Sequence, residues 1–337
     1  MVLIRKIGID LGTANSVIYA ETKGIVLQEP TVVAVTVEDN KVVAVGSEAK
    51  EMLGRTPGSI MASKPMRDGV IADYVVTEAM LRYFIQKVCG KNWLFRPEVM
   101  ICVPAGCTQV ERRAVEEATE AAGAKEVYII QEPFAAALGA GISVGEASGN
   151  MIVDMGGGSS EAAVISLGGI VVSKSLRISG NALDDAIAAY LRKKHSLIVG
   201  EQTAEEIKIL IGRAMASETD SLKPMQVKGR DSIQGLPKTV EVSAEEIEEA
   251  MRPKITQIVN MVKSVLEEVP PELASDIIDK GIVMSGGTSL LKNLDKLLTK
   301  ETGVPCHVAE EPLLCVAKGT GIALDNLDLY KRAISKR

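Results

Sequence analysis

The sequence predicts an α/β fold built by duplication, and two observations carry that reading. Strand and helix signals alternate along the 337 residues, which implies sheets covered by helices on both sides. One device also occurs twice: an apolar strand running into an aspartate, a Gly/Ser/Thr turn, then a second strand. The first copy is Ile7-Gly8-Ile9-Asp10-Leu11-Gly12-Thr13-Ala14-Asn15, continuing through 16–20. The second is Met151-Ile152-Val153-Asp154-Met155-Gly156-Gly157-Gly158-Ser159-Ser160, continuing into 163–165. A single copy also describes an ordinary hairpin turn. Two copies, each opening a comparable half of the chain, describe turns that can face each other across a phosphate chain. Glycines let backbone N–H groups wrap an anion, and an aspartate at each strand end is placed to hold a hydrated Mg²⁺. The pairing points to a nucleotide triphosphatase whose phosphates are gripped by hairpins. Neither copy opens a helix, as a dinucleotide fingerprint would, and no Gly-x-x-x-x-Gly-Lys-Ser/Thr loop occurs.

The elements follow in order. Strand signals at 24–27, 32–37 and 42–45 continue the first hairpin, and a helix over 75–88 carries the core stripe Met80, Leu81, Phe84, Ile85, Val88. A buried strand ends at Pro104, Thr108 begins a helix over 109–122, and Gly123 stops it. After a buried strand at 127–130, Pro133 is a preferred first helical residue. Glu132 therefore projects from a rigid strand–helix junction. Beyond Asp154 the pattern repeats with hairpin strands, a helix over 182–192, a polar insert around 223–238 and a long helix over 244–268. The run Ile282-Val283-Met284-Ser285-Gly286-Gly287-Thr288-Ser289 reads as a strand, a glycine turn and a helix start. Amides at such a helix start suit a phosphate or ribose oxygen, although an ordinary strand-to-helix turn has the same form. Glu205 and Lys208 share a helix face, which taken alone describes a solvated pair.

Composition limits the function. With 46% hydrophobic and 24% charged residues the chain can bury a large core and is long enough for two domains. A net charge of −6 argues against nucleic acid as the main partner. Cys89, Cys102, Cys107, Cys306 and Cys315 lie in apolar surroundings and read as reduced residues, neither a disulfide framework nor a zinc site. His195 and His307 are too far apart in sequence to suggest metal ligation. No signal peptide or long apolar run is expected at the N-terminus.

The motifs Asp10-Leu11-Gly12-Thr13-Ala14-Asn15, Lys64-Pro65-Met66-Arg67-Asp68-Gly69-Val70-Ile71-Ala72-Asp73, Val110-Glu111-Arg112-Arg113-Ala114-Val115, Asp154-Met155-Gly156-Gly157-Gly158, Ile165-Ser166-Leu167-Gly168-Gly169-Ile170-Val171 and Ala204-Glu205-Glu206-Ile207-Lys208 stand in an order that resembles the MreB/Mbl family of bacterial actin homologues, from Ile7 to Leu324-Asp325-Asn326. The resemblance implies an actin-like α/β fold: two duplicated ribonuclease H-like domains with a nucleotide cleft between them, each with a smaller inserted subdomain. The expected division is 1–148, with a small subdomain at 31–63, and 149–337, with one at 184–250 and a C-terminal helix returning to the first domain. It also implies a cytoskeletal ATPase using ATP and Mg²⁺, cytoplasmic and peripheral on the inner face of the cell membrane. Its partners would be further copies of itself and wall-elongation proteins of the MreC, MreD and RodZ type. Asp10 and Asp154 would serve the metal. Gly12, Thr13, Ala14, Asn15, Gly156, Gly157, Gly158, Ser159, Ser160, Gly286, Gly287, Thr288 and Ser289 would hold the nucleotide. Glu205, Glu206, Ile207 and Lys208 would line the adenosine pocket, and Glu132 and Ser159 would act in hydrolysis.

Three positions depart from the family's usual pattern. Ser159-Ser160 replaces Thr-Thr, which keeps the hydroxyls but loses the methyls that restrict rotamers, and Thr288 replaces a glycine. Trp93-Leu94-Phe95, flanked by Lys87, Lys91 and Arg96, is an apolar triplet in a chain only 3% aromatic. It could tuck under a loop as core; the resemblance instead implies insertion into lipid. Burying three large side chains is worth about 5 to 8 kcal/mol at most before ordering costs, so one subunit binds weakly and a filament binds by avidity. Within the superfamily, a sugar kinase would need a substrate-binding aspartate motif between the domains, and a DnaK-type chaperone a further substrate domain; neither is expected here. An ATP-binding filament scaffold with little hydrolysis is the remaining alternative.

Overall fold

The computed structural model describes residues 4–39, 41–90, 96–218 and 221–336. Two sheets form its centre, and they repeat one another strand for strand. In the first, Lys6–Leu11 lies between its antiparallel partner Asn15–Ala20 and its parallel partner Glu98–Val103, with Gly24–Pro30 and Glu126–Gln131 outside them. In the second, Asn150–Met155 lies between Ser160–Ser166 and Ile282–Ser285, with Gly169–Leu176 and Cys306–Val308 outside. The central strands are covered on both faces, which is why they read as continuous apolar runs and not as alternating ones.

Parallel neighbours need crossovers, and the sequence supplies helices with clear ends. Tyr74–Cys89 starts where Asp73 accepts the Val76 N–H and ends at Gly90, whose φ of 90° suits only glycine. Gln109–Ala121 begins in a capping box between Thr108 and Glu111, and Ala244–Leu266 in another between Ser243 and Glu246. The long helix lays Ile247, Met251, Ile255, Ile258 and Val262 into the second core, a stripe at helical spacing.

Each sheet carries a smaller three-stranded one. Val33–Thr36, Val42–Val45 and Ile60–Ser63, with the helix Ser47–Met52, close over Val32, Ala34, Ala44 and Ala49. Leu197–Ile198, Met225–Asp231 and Pro237–Val242 form the other. The polar insert expected around 223–238 is thus a β-hairpin. Its outward face is exposed, so only Val227 and Val242 mark the buried side.

Two helices cross between the halves. Glu132–Gly139 follows the last parallel strand of the first half and touches the second sheet; Cys315–Asp325 follows that of the second half and lies along Lys6–Leu11. The backbones touch directly. A Cβ on Gly139 would overlap the Cys315 carbonyl oxygen, and one on Gly319 would overlap that of Ala135. These contacts are reciprocal, four residues apart on each helix. Beyond the second helix, Ile334–Lys336 adds an antiparallel edge strand to the first sheet through Tyr128, Ile129 and Ile130.

Candidate active site

A cavity of about 450 Å³ opens between the two sheets, at the ends of their matched hairpins. Asp10 and Asp154 face it from equivalent strand ends, and the turns Gly12–Asn15 and Gly156–Ser159 flank it. The turns approach each other closely because the glycines have no side chains. A Cβ on Gly157 would come within 2.6 Å of the Ala14 Cβ, and one on Gly158 would strike the Thr13 hydroxyl. That hydroxyl accepts the Gly69 N–H at 2.9 Å, closing the back of the cleft.

Buried hydroxyls hold the turn carbonyls inward. Thr31 Oγ1 donates to the Gly12 C=O at 2.7 Å, while Ser179 Oγ and Thr288 Oγ1 donate to the Gly156 C=O at 2.7 and 2.8 Å. With acceptors so engaged, the turns suit an anion. Thr288 therefore contributes a bond that a glycine could not. The second helix start is short: Gly287–Leu290 is a single 3₁₀ turn, not the opening of an α-helix.

Four acids sit in this dry region. Burial, with the neighbouring Asp154 charge, pushes Asp10 up to about 7, against a weak bond from the Cys102 thiol. Burial pushes Asp154 up to about 6 although Ser285 Oγ donates to it at 2.6 Å. Burial and the nearby Glu161, Asp10 and Asp154 raise Glu132 well above the carboxylate range. Glu161 rises to about 7 by burial, opposed by hydrogen bonds from Ser175 and the Ala105 and Gly106 N–H groups. No lysine or arginine forms a salt bridge with any of the four among the described residues. Such a cluster is complementary to a cation with hard oxygen preference. No three acidic, Cys or His side chains among the described residues group closely enough to chelate a metal. The paired Asp10 and Asp154 carboxylates lining the cavity are the oxygen donors that a hydrated Mg²⁺ takes.

Toward the mouth, Lys208 Nζ lies 2.8 Å from Asp184 Oδ1 and donates to the Gly180 C=O. Above it the helix Ser47–Met52 and Lys64 meet the helix Glu201–Ile211. Lys50 pairs with Glu205 at 2.9 Å, Gln202 donates to the Lys50 C=O at 2.6 Å, and Lys64 pairs with Glu201 at 2.7 Å.

Of the residues singled out from sequence, Asp10, Gly12, Thr13, Ala14, Asn15, Glu132, Asp154, Gly156, Gly157, Gly158, Ser159, Glu205, Lys208, Gly286, Gly287 and Thr288 line one cavity. Four do not. Ser160 is buried and donates to the Ile178 C=O; Ile207 is core; Ser289 donates to the Gly286 C=O; Glu206 is exposed beside the mouth. Trp93, Leu94 and Phe95 lie outside the described residues. Sequence reasoning missed Gly69, Gly180 and Asn181, which also line the cavity. The signal was Ser179-Gly180-Asn181 at the start of the helix Gly180–His195, whose first residues line the cavity.

Comparison with known proteins gives a consistent answer. Residues 4–332 match the model of the MreB/Mbl protein family. The cell shape-determining protein Mbl of Bacillus subtilis is 49% identical over 332 residues, covering 98% of this chain and 99% of that one. The cell shape-determining protein MreB of Escherichia coli is 51% identical over 329 residues, covering 96% and 94%. Among solved structures, MreB5 of Spiroplasma citri bound to ADP superposes with a TM-score of 0.90 at 36% identity, covering 97% of this chain and 98% of its own. The same protein bound to AMPPNP also gives 0.90.

Proposed function

The chain belongs to the MreB/Mbl family and has the actin-like fold, and on that premise we propose that it is a cytoskeletal ATPase. It binds ATP with Mg²⁺ between its halves, assembles with copies of itself into filaments, and hydrolyses the nucleotide slowly. The filaments lie on the inner face of the cell membrane and maintain rod shape by organising peptidoglycan synthesis, with wall-elongation proteins of the MreC, MreD and RodZ type as partners. The observation that carries this reading is the pair of matched hairpins closing on one cavity beneath buried, cation-free acids. The nucleotide states of MreB5 and the cell-shape role in the names of the relatives support it.

In this reading the chain divides near 148/149 into two actin-like domains with the smaller sheets as subdomains. Asp10 and Asp154 hold the waters of Mg²⁺, and the hairpin N–H groups hold the phosphates. Bound Mg²⁺ offsets phosphate charge. Glu205 and Lys208 face the nucleoside. Glu132 makes no hydrogen bond of its own among the described residues and lines the cavity, so its carboxylate is free to orient a water, while the Ser159 hydroxyl steadies the terminal phosphate. No described helix is long and apolar enough to cross a membrane. The membrane contact is assigned to Trp93, Leu94 and Phe95, with cationic neighbours suited to anionic headgroups.

The test is electron microscopy and sedimentation of the protein with ATP and Mg²⁺, with and without liposomes, alongside phosphate release. Filaments on lipid with ATP-dependent phosphate release are expected, and assembly indifferent to nucleotide would sink the reading. Changing Trp93, Leu94 and Phe95 to Ser should free the filaments from lipid and leave assembly in solution intact.

A further inference from the structure

Residues at matching positions of the two sheets allow the halves to be compared. Asp10 stands opposite Val17, which stands opposite Gln28. Asp154 stands opposite Glu161, which stands opposite Ser175, with Ser285 on the other side of Asp154. Val17 is 2% exposed and Glu161 1%. An apolar residue therefore satisfies the fold at this position, and a carboxylate there in one half only needs a separate explanation.

Its partners supply one. Glu161 belongs to the second half, yet it accepts the Ala105 N–H through both oxygens, at 2.9 and 3.1 Å. Ala105 and Gly106 belong to the first half. They follow the strand Glu98–Val103, whose Val103 is paired with Gln131, the residue before Glu132. Gly106 sits so low on the second sheet that a Cβ there would come within 2.8 Å of the Ser175 Cβ. One buried carboxylate thus pins the segment beside Glu132 to the strand that follows Ser159 and Ser160.

We propose that Glu161 is a positioning residue for hydrolysis: it locks residues 104–106 onto the second half and so fixes the Glu132 carboxylate relative to the second hairpin. Ala105 engages both of its oxygens and Glu161 does not line the cavity, whereas Glu132 does. This rests on the hydrolytic reading given above.

The experiment compares wild type with Glu161→Val, which installs the residue of the sister half, Glu161→Gln, which keeps one acceptor, Glu132→Ala, and the Glu161→Val/Glu132→Ala pair. Melting, Mg²⁺-ATP affinity by calorimetry and single-turnover phosphate release are measured on the full chain. Glu161→Val should melt cooperatively and bind ATP within about 3-fold of wild type. Its phosphate release should fall roughly 100-fold, the cost of misplacing a reacting group by about an ångström. Glu161→Gln should fall between. The pair should be no slower than Glu132→Ala alone, because a residue acting through another adds nothing once that one is gone. Wild-type hydrolysis in Glu161→Val would overturn the inference, as would additive losses in the pair, or loss of folding or ATP binding in both position-161 variants. Wild type that binds ATP but releases no phosphate would overturn the hydrolytic reading itself, and this inference with it, before any variant is compared.

Discussion

The two halves of the molecule share a strand order, an aspartate at the same strand end and a glycine turn held by buried hydroxyls. Around that shared frame they diverge. The first half surrounds its aspartate with Cys102 and Val17, the second with Ser285 and Glu161. The helix after the last parallel strand begins with Glu132 in the first half and follows Pro312-Leu313-Leu314 in the second. In the proposed reading, the features that would grip a metal and a run of phosphates are thus duplicated, and those that would act on one bond at one end of that run are not.

The comparison can be broken first at its shared element. Asp154→Ala and Asp10→Ala should each abolish ATP-dependent sedimentation, since each would remove half of the proposed cation site; normal assembly by either would separate the halves where they look alike. Next comes the one-sided acid. Glu132→Ala should slow phosphate release by about 100-fold or more while ATP affinity changes little, because a water is oriented only on the way to the transition state; equal losses in both would mark a structural role. The helix crossing is symmetric, so Gly139→Ala and Gly319→Ala should destabilise alike, by about 1 to 3 kcal/mol in urea unfolding. That sign is diagnostic, since the same change in an open helix stabilises by about 1 kcal/mol.

A fourth prediction concerns pH. Glu161 has a folded value of about 7 against an ordinary 4.5, so the folded state holds the proton more tightly. The associated stability is fully present below pH 4.5 and is lost as pH rises through 7, amounting to at most about 3 kcal/mol. Asp10 and Asp154 act in the same direction. Nucleotide-free protein should therefore resist urea better at pH 5 than at pH 8, and Glu161→Val should flatten the difference; a profile unchanged in that variant would contradict the assignment. The smallest effect is expected at Ser159, where Thr should hold or raise phosphate release and Ala should lower it a few-fold.

How far the sequence alone reached can be traced residue by residue. The hairpins were legible because two Asp-x-Gly turns each need the same residue types at the same spacing, and the capped helices because Thr108 and Ser243 announce their starts. The hairpin Met225–Asp231 with Pro237–Val242 was not, since a sheet with one face in water shows few apolar residues. Glu161 was hidden for the opposite reason: in sequence it is one acid after Ser160, and only strand register reveals that Val17 is its counterpart. Ser160 and Ile207 shared a motif with cavity residues but point into the body, as alternate residues on a strand and opposite faces of a helix must. Gly139 and Gly319 look like weak points in their helices until each is seen against the other's backbone.

The returning segment bears on how the protein is made. The strand Lys6–Leu11 is packed by Cys315–Asp325, and the edge of its sheet is closed by Ile334–Lys336. The first half to leave the ribosome therefore lacks part of its own core and keeps an open sheet edge until residues 315–336 have been synthesised. The cleft, which draws its lining from both halves, is likewise incomplete until the second sheet has formed.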